Sequence, residues 1–243
     1  MQTIRSYSVL SRAAALAAIV YFLLLFVVPP DGPAVETATA SQVRAYYTEN
    51  ASALHASALA AAVAGPAILI FCACLARLVT IRIGASVWPP LIVASGALVA
   101  VWHWLTAAID ANVSVQALDG TSLTRVSDGA LTTWYALTNV SHLWGDLAMV
   151  HVVMLMAASS LAARTSGVLP RWLCWAGLAL AMAGAIGTVG VALALGPLAY
   201  AWFAGLFGWT LWIPTCAVAL LIRARRRDVG VPGSDQVATT PAV

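Results

Sequence analysis

Lysine is absent from this chain: all 12 basic residues among its 243 are arginine. That excludes any chemistry through a lysine Schiff base, a retinal-binding pump included. Charge of either sign is scarce. Charged residues make up 9% of the chain, against about 25% in an ordinary soluble domain. So few cannot cover a water-facing surface, and a soluble globular fold is excluded. Disorder of the whole chain is excluded as well, because it needs low hydrophobicity and high charge. A net charge of +3 makes nucleic acid an unsuitable partner. Four cysteines do not form a disulfide framework. Walker, GxGxxG, GxSxG, HExxH and Cys/His-finger patterns are all missing.

What is present is apolar: 62% of the residues are hydrophobic. Six runs are long enough to cross about 30 Å of hydrocarbon, which takes roughly 20 residues. They cover Ala13–Val28, Ala51–Leu75, Pro90–Ile109, Leu137–Ala163, Trp172–Leu195 and Leu198–Ile222. Continuous runs of this length are not the short, alternating strands of a membrane barrel. The expected fold is therefore an all-α integral membrane protein, a six-span bundle over residues 1–228, with residues 229–243 a disordered tail.

Arginine placement orients the bundle. Arg5, Arg12, Arg77, Arg82, Arg164, Arg171, Arg223, Arg225, Arg226 and Arg227 flank the spans on one side, and only Arg44 and Arg125 lie on the other. The positive-inside rule puts the first group, and both termini, in the cytoplasm. An even number of spans requires the termini to share a side, so count and charge agree. The Lys-free, Ala-rich composition suggests a high-GC bacterial source and hence the bacterial cytoplasmic membrane. A signal-peptide reading of Met1–Ala40, ending on Ala38-Thr39-Ala40, competes for the first span. Its apolar run is longer than the usual core of such a peptide, and Ala40 lies well past the end of the run.

Between the spans, Ser41–Asn50 places Val43, Tyr46, Tyr47 and Asn50 at helical spacing. It reads as a short outer interfacial helix with Ser41 as N-cap and tyrosines at headgroup level. Asn112–Ser127 reads as a polar outer segment with an Asp119-Gly120 turn, followed by a helical extension of span four over Asp128–Thr138. Gly65-Pro66 and Pro214 are expected to kink spans two and six. Gly177, Ala181, Gly184 and Thr188 in span five, with Gly205 and Gly208 in span six, form small faces that allow close helix approach.

Ionisable side chains at membrane depth are costly and mark candidate sites. His103 and Asp110 share one face of span three, and Asn139, His142 and Asp146 share one face of span four. His55 starts span two at the same outer level. Trp102, Trp104, Trp134, Tyr135 and Trp144 surround that level. His151, nine residues past His142, points the opposite way.

This set permits a small-ligand or proton-linked site, since histidine changes charge near neutral pH. It also permits a metal site on His55, His103, His142 and Asp146 with a hydrolase's activated water, or a haem between two histidines. The plainest reading is structural: hydrogen bonding across helices, or snorkelling to the interface. No cofactor is predicted, and enzymatic activity is not indicated by any motif. The cysteines, Cys72, Cys74, Cys174 and Cys216, read as small apolar packing on the reducing side. Arg223, Arg225, Arg226 and Arg227 form a lipid-facing basic cluster. Lipids are the expected partners, with a second copy or another membrane protein as the alternative use of the small faces.

The stretches Ser41-Gln-Val-Arg-Ala-Tyr-Tyr-Thr-Glu-Asn50 and Leu169-Pro-Arg-Trp-Leu-Cys-Trp-Ala-Gly177 resemble a broad membrane-protein family of high-GC bacteria classed as a domain of unknown function. The likeness extends over most of the chain in span order, and Pro170-Arg171-Trp172 is its most specific part. It implies a polytopic membrane fold and assigns no catalytic residue. His55, His103, His142 and Asp146 lie outside it.

The orientation is testable. A reporter active only in the cytoplasm, fused after Val243, is expected to be active, and one active only outside is expected to be silent. Activity of the second would reverse the topology.

Overall fold

The computed structural model describes residues 2–119 and 123–228, except the side chains of 2–5, 140–148 and 227. The expected tail at 229–243 and the turn at Gly120 lie outside the described residues. Among the described residues there are seven α-helices: α1 (Gln2–Leu24), α2 (Ala40–Glu49), α3 (Ala51–Ile83), α4 (Trp88–Leu118), α5 (Asp128–Ser166), α6 (Arg171–Ala192) and α7 (Gly196–Asp228). A single 3-10 turn, Leu123–Arg125, precedes α5. Six of the helices, all but α2, are long and apolar enough to span a membrane. The chain is therefore a helical, multi-pass membrane protein.

The six long helices close a ring in chain order. Each packs on its sequence neighbour, and α7 returns to pack on α1. Tyr7, Ser11, Ala14, Ala18 and Tyr21 are the buried stripe of α1. They recur every three or four residues, which is the inward face of a helix. Large apolar residues on the outward faces, such as Leu16, Leu59, Ile70, Met182 and Leu211, are half or more exposed. Facing water, such a belt would drive association; facing lipid, it meets its own kind of solvent.

The centre of the ring is solid toward the arginine-rich end, where Phe71, Leu75, Leu78, Leu155, Met156, Ile213, Cys216 and Leu220 are fully or almost fully buried. All four cysteines are free thiols. Arginines tie the loops at that end together. Arg12 pairs with Asp228, Arg82 donates to the Ser166 carbonyl at 3.4 Å, and Arg223 donates to the carbonyls of Gly167 and Val168. Arg164 lies 4.3 Å from the Trp175 ring centroid. Arg225 and Arg226 are exposed, and Arg227 lies outside the described side chains.

Helix ends depart from the expected spans for identifiable reasons. α1 stops at Leu24 rather than Val28, because Pro29-Pro30 cannot continue a helix and restrict the residue before them. Leu25, Phe26 and Val27 instead close i→i−3 turns on Phe22, Leu23 and Leu24. α4 continues past Ile109 to Leu118, into the segment read from sequence as polar and outer. Its last turns bury Asp110, Val113, Ser114 and Ala117 because α2 folds over them. Val43 and Tyr47 of α2 join Val113, Ala117, Leu131 and Tyr135 in a second apolar cluster. The N-cap of α2 is Thr39, not Ser41: Thr39 and Gln42 form a capping box, which satisfies two backbone donors reciprocally. Arg44 holds this cover in place. It donates to the carbonyls of Leu123 and Val126 and to Asp128.

The two glycine-containing features have specific uses. Pro66 has no N–H, so the Ala62 carbonyl four residues earlier loses its helical partner. The Trp104 indole N–H of α4 donates to that carbonyl at 3.2 Å. It can approach only because residue 65 is glycine; a Cβ there would stand 2.6 Å from the indole nitrogen. On α6 and α7, the small faces meet each other. A Cβ on Gly187 would strike the Trp202 backbone, and one on Gly205 would strike the backbone of Gly184. The faces that sequence alone could have offered to a partner helix are thus used within the chain.

Trp104→Phe keeps an aromatic side chain but removes the indole N–H and strands the Ala62 carbonyl in an apolar setting. An unsatisfied buried group costs about 1–3 kcal/mol, so the variant should unfold at a lower denaturant concentration in a reconstituted sample. Unchanged stability would show that the indole bond contributes nothing net.

A candidate ligand-binding lumen

The half of the ring away from the arginine-rich end is hollow. A cavity of about 540 Å³ lies between α1, α3, α4, α5 and α7. α6 takes no part, because its glycine contacts draw it onto α7. The walls are mostly apolar, from Ala61 and Ala64 of α3, Val99 of α4, Met149 and Val152 of α5 and Leu206 of α7. The Leu25–Pro29 segment that follows α1 forms one side of the cavity, so the early stop of α1 is what shapes it.

Polar groups converge along one helix. His103, Thr106 and Asp110 of α4 all line the cavity, at the i, i+3 and i+7 spacing of a single face. His103 and Asp110 are buried. His103 Nε2 lies 3.1 Å from the Tyr21 hydroxyl, in a hydrogen bond between α4 and α1. The Tyr21 ring stands edge-on to His103 at 5.5 Å and to Trp209 at 6.0 Å, and Trp102 packs 4.6 Å from the imidazole. Among the described residues, the indole nitrogens of Trp102 and Trp202 and the hydroxyl of Thr106 line the cavity without a hydrogen-bond partner. Buried donors are rarely left so.

A second chamber of about 340 Å³ adjoins the first and shares Val28, Pro29 and Asp110 with it. Asp31, Tyr46, Tyr47, Tyr135, Thr138 and Asn139 complete its wall. The tyrosines form a cluster, with ring centroids 5.4 Å (Tyr46–Tyr47), 5.9 Å (Tyr46–Tyr135) and 6.1 Å (Tyr47–Tyr135) apart. Tyr46 donates to the Pro30 carbonyl at 2.8 Å, and Tyr135 donates to that of Pro33, so the loop after α1 hangs from the tyrosines. Burial pushes Tyr46 and Tyr47 up to about 12, and the nearby Asp110 carboxyl adds to the shift. Asp110 is thus within electrostatic reach of the α2 tyrosines as well as the lumen.

The residues singled out from sequence fare differently. His103 and Asp110 share the lumen. Asn139 lies in the second chamber, its amide donating to the Tyr135 carbonyl at 2.9 Å. His55, expected at the same level, is not among the residues lining either chamber, and its Nδ1 is buried without a partner among the described residues. The helical turn that carries it instead presents Leu54 to the second chamber and Ser57 to the first. The side chains of His142 and Asp146 lie outside the described residues, although the backbone there belongs to α5. His151 Nδ1 is likewise buried without a partner among the described residues.

Among the described residues, no group of three or more His, Cys, Asp or Glu side chains is placed to hold a metal ion. Tyr21, Thr106 and Trp209 were not singled out from sequence, since none titrates near neutral pH. The inward stripe of α1 that ends on Tyr21 was the available signal. At the arginine-rich end, Arg223 and Arg226 border a groove of about 450 Å³ with Trp172, Val218 and Ile222.

No family profile, curated protein or solved structure matches the chain. Function is therefore read from the lumen's own chemistry.

The Tyr21–His103 bond gives a direct test of how the lumen wall is built. Tyr21→Phe and His103→Ala should be non-additive, the double variant losing less stability than the two singles summed. The coupling should be about 0.6 kcal/mol, the average for polar pairs in membranes. Additive losses would mean the two groups do not interact in the folded protein.

Proposed function

We propose that the chain is a membrane binding protein that takes a small, mainly apolar ligand into the lumen from the side opposite its arginines. The ligand's polar end is held at His103, Thr106 and Asp110. In the orientation argued from arginine placement, that side is the outer face of the cytoplasmic membrane.

The observation that carries this reading is the cavity itself: an apolar-walled space of about 540 Å³ on which a few polar groups converge. Ligand pockets span about 300–1,000 Å³ and combine apolar walls with few polar contacts. A membrane bundle that needed only to pack would fill this space, since unfilled volume forfeits dispersion contacts. The unpartnered Trp102, Thr106 and Trp202 groups point the same way, because a ligand or water would satisfy them. Binding of this kind suits a transport-accessory or sensing protein more than an enzyme.

The test is occupancy. A neutral naphthalene-type fluorophore should show saturable energy transfer from the lumen tryptophans in reconstituted protein. Ala61→Phe, which fills the lumen, should weaken that binding by about tenfold or more. Val63→Phe, on the lipid face where Val63 is 51% exposed, should not. Transfer that never saturates, or that responds equally to both variants, would overturn the proposal.

A further inference from the structure

We infer that the groove at the arginine-rich end is a site for one anionic phospholipid, its phosphate at Arg223 and Arg226 and one acyl chain lying along α7. The groove is at the opposite end from the lumen and does not depend on it.

α7 supplies one wall by helical spacing alone. Thr215, Val218, Ala219, Ile222, Arg223 and Arg226 line the groove at i, i+3, i+4, i+7, i+8 and i+11, a single face. The stripe runs about 16 Å along the helix at 1.5 Å per residue, and its character changes along that length. Val218, Ala219 and Ile222 are apolar, and the Thr215 hydroxyl donates to the helix's own Leu211 carbonyl at 2.7 Å. The last two residues are arginines. Val168, Pro170 and Trp172 form the facing wall, so the groove follows the seam between α7 and the start of α6. Trp172, Val218 and Ile222 are about half exposed or more, and the channel therefore opens sideways, toward lipid. An apolar channel that ends in basic groups fits a hydrocarbon chain joined to a phosphate. A bare anion would leave the channel unfilled, and an uncharged chain would leave the arginines unused.

The head of the groove is built for an anion. Arg223 bonds to the Gly167 and Val168 carbonyls, which fixes its guanidinium at the rim. Arg226, almost one turn further on, is exposed. Guanidinium groups present planar forks of donors that match phosphate oxygens. α6 starts beside them on Pro170, whose side chain cannot cap the helix, and backbone N–H groups at a helix N-terminus favour negative charge. Competition from carboxylates is small. The sequence places only two acidic residues, Asp228 and Asp235, in the segments that flank the spans at this end, and Asp228 pairs with Arg12. Trp172 stands where tryptophan is favoured, between headgroups and hydrocarbon. Basic pockets between spanning helices are a recurring way of holding anionic headgroups.

Native mass spectrometry of the protein in a neutral detergent tests this directly. One molecule of dioleoylphosphatidylglycerol should be retained at a concentration about tenfold or more below that needed for dioleoylphosphatidylcholine. Arg226→Ala should weaken that binding by about fivefold or more, the share of one basic residue at a membrane surface. Arg225→Ala removes the same charge from a residue outside the groove and should leave binding nearly unchanged. Val218→Trp fills the channel without touching charge and should weaken binding; Ile222→Trp does the same should Val218→Trp not assemble. Met182→Trp, on the lipid face of α6 where Met182 is 64% exposed, should have no effect. Equal loss in the Arg225 and Arg226 variants would overturn the site in favour of a diffuse surface attraction. Equal retention of the two lipids would overturn the anionic assignment, and undiminished binding with the channel filled would overturn the place of the acyl chain. Displacement of the lipid by an equal concentration of inorganic phosphate would make the groove a site for a free anion instead.

Discussion

Hydrocarbon offers no hydrophobic drive between helices, so close packing of small side chains is what holds this ring together. The distribution of side-chain size then sets the shape of the interior. Ala14, Ala15 and Ala18 of α1, Ala158, Ala162 and Ala163 of α5 and Ala217 and Ala224 of α7 are buried, and let backbones approach around a plug of Phe71, Leu75 and Leu155. Toward the other end the inward residues are Tyr21, Trp102, Trp202 and Trp209. Bulky rings hold the helices apart there, and the lumen is the space they leave. The glycines of α6 and α7 make the exception. They bring those two helices together at the same level and remove α6 from the lumen wall.

The second requirement of a hydrocarbon setting is that backbone polar groups find partners. The ring meets it where proline interrupts. Trp104 supplies the donor that Pro66 lacks, across a glycine that admits it. A comparable contact recurs where the Trp212 indole donates to the Leu173 carbonyl at 3.2 Å, with Gly177 beneath the indole ring. Tryptophan here does more than sit at an interface. It carries a hydrogen-bond donor on an apolar plate, so it can fill space and satisfy a carbonyl at once.

The cover over the open end depends on one arginine. Arg44 gathers the 3-10 turn and the start of α5 under α2, while Tyr46 and Tyr135 hold the loop after α1. These bonds connect α2, the loop and the start of α5 into one rim around the smaller chamber, whose wall includes Asp110. Movement of α2 would therefore alter the mouth of the lumen and the surroundings of Asp110 together.

Much of the architecture was legible in the residues themselves. Span number, the helical extension before span four, the short outer helix and the small faces of α6 and α7 follow from apolar run length and helical spacing, which are local properties. His103 and Asp110 could be placed on one face for the same reason. The length of α4 was not legible. Val113 and Ala117 look like parts of a polar segment until α2 supplies their partner. His55 lines neither chamber, because depth along a helix is set by sequence, whereas rotation about its axis is set by the neighbours it packs on. The lumen and the Tyr21–His103 bond, joining residues 82 apart, belong wholly to the tertiary structure. They exist because the ring closes α7 onto α1, and nothing in the spacing along any single helix encodes which faces that closure brings together.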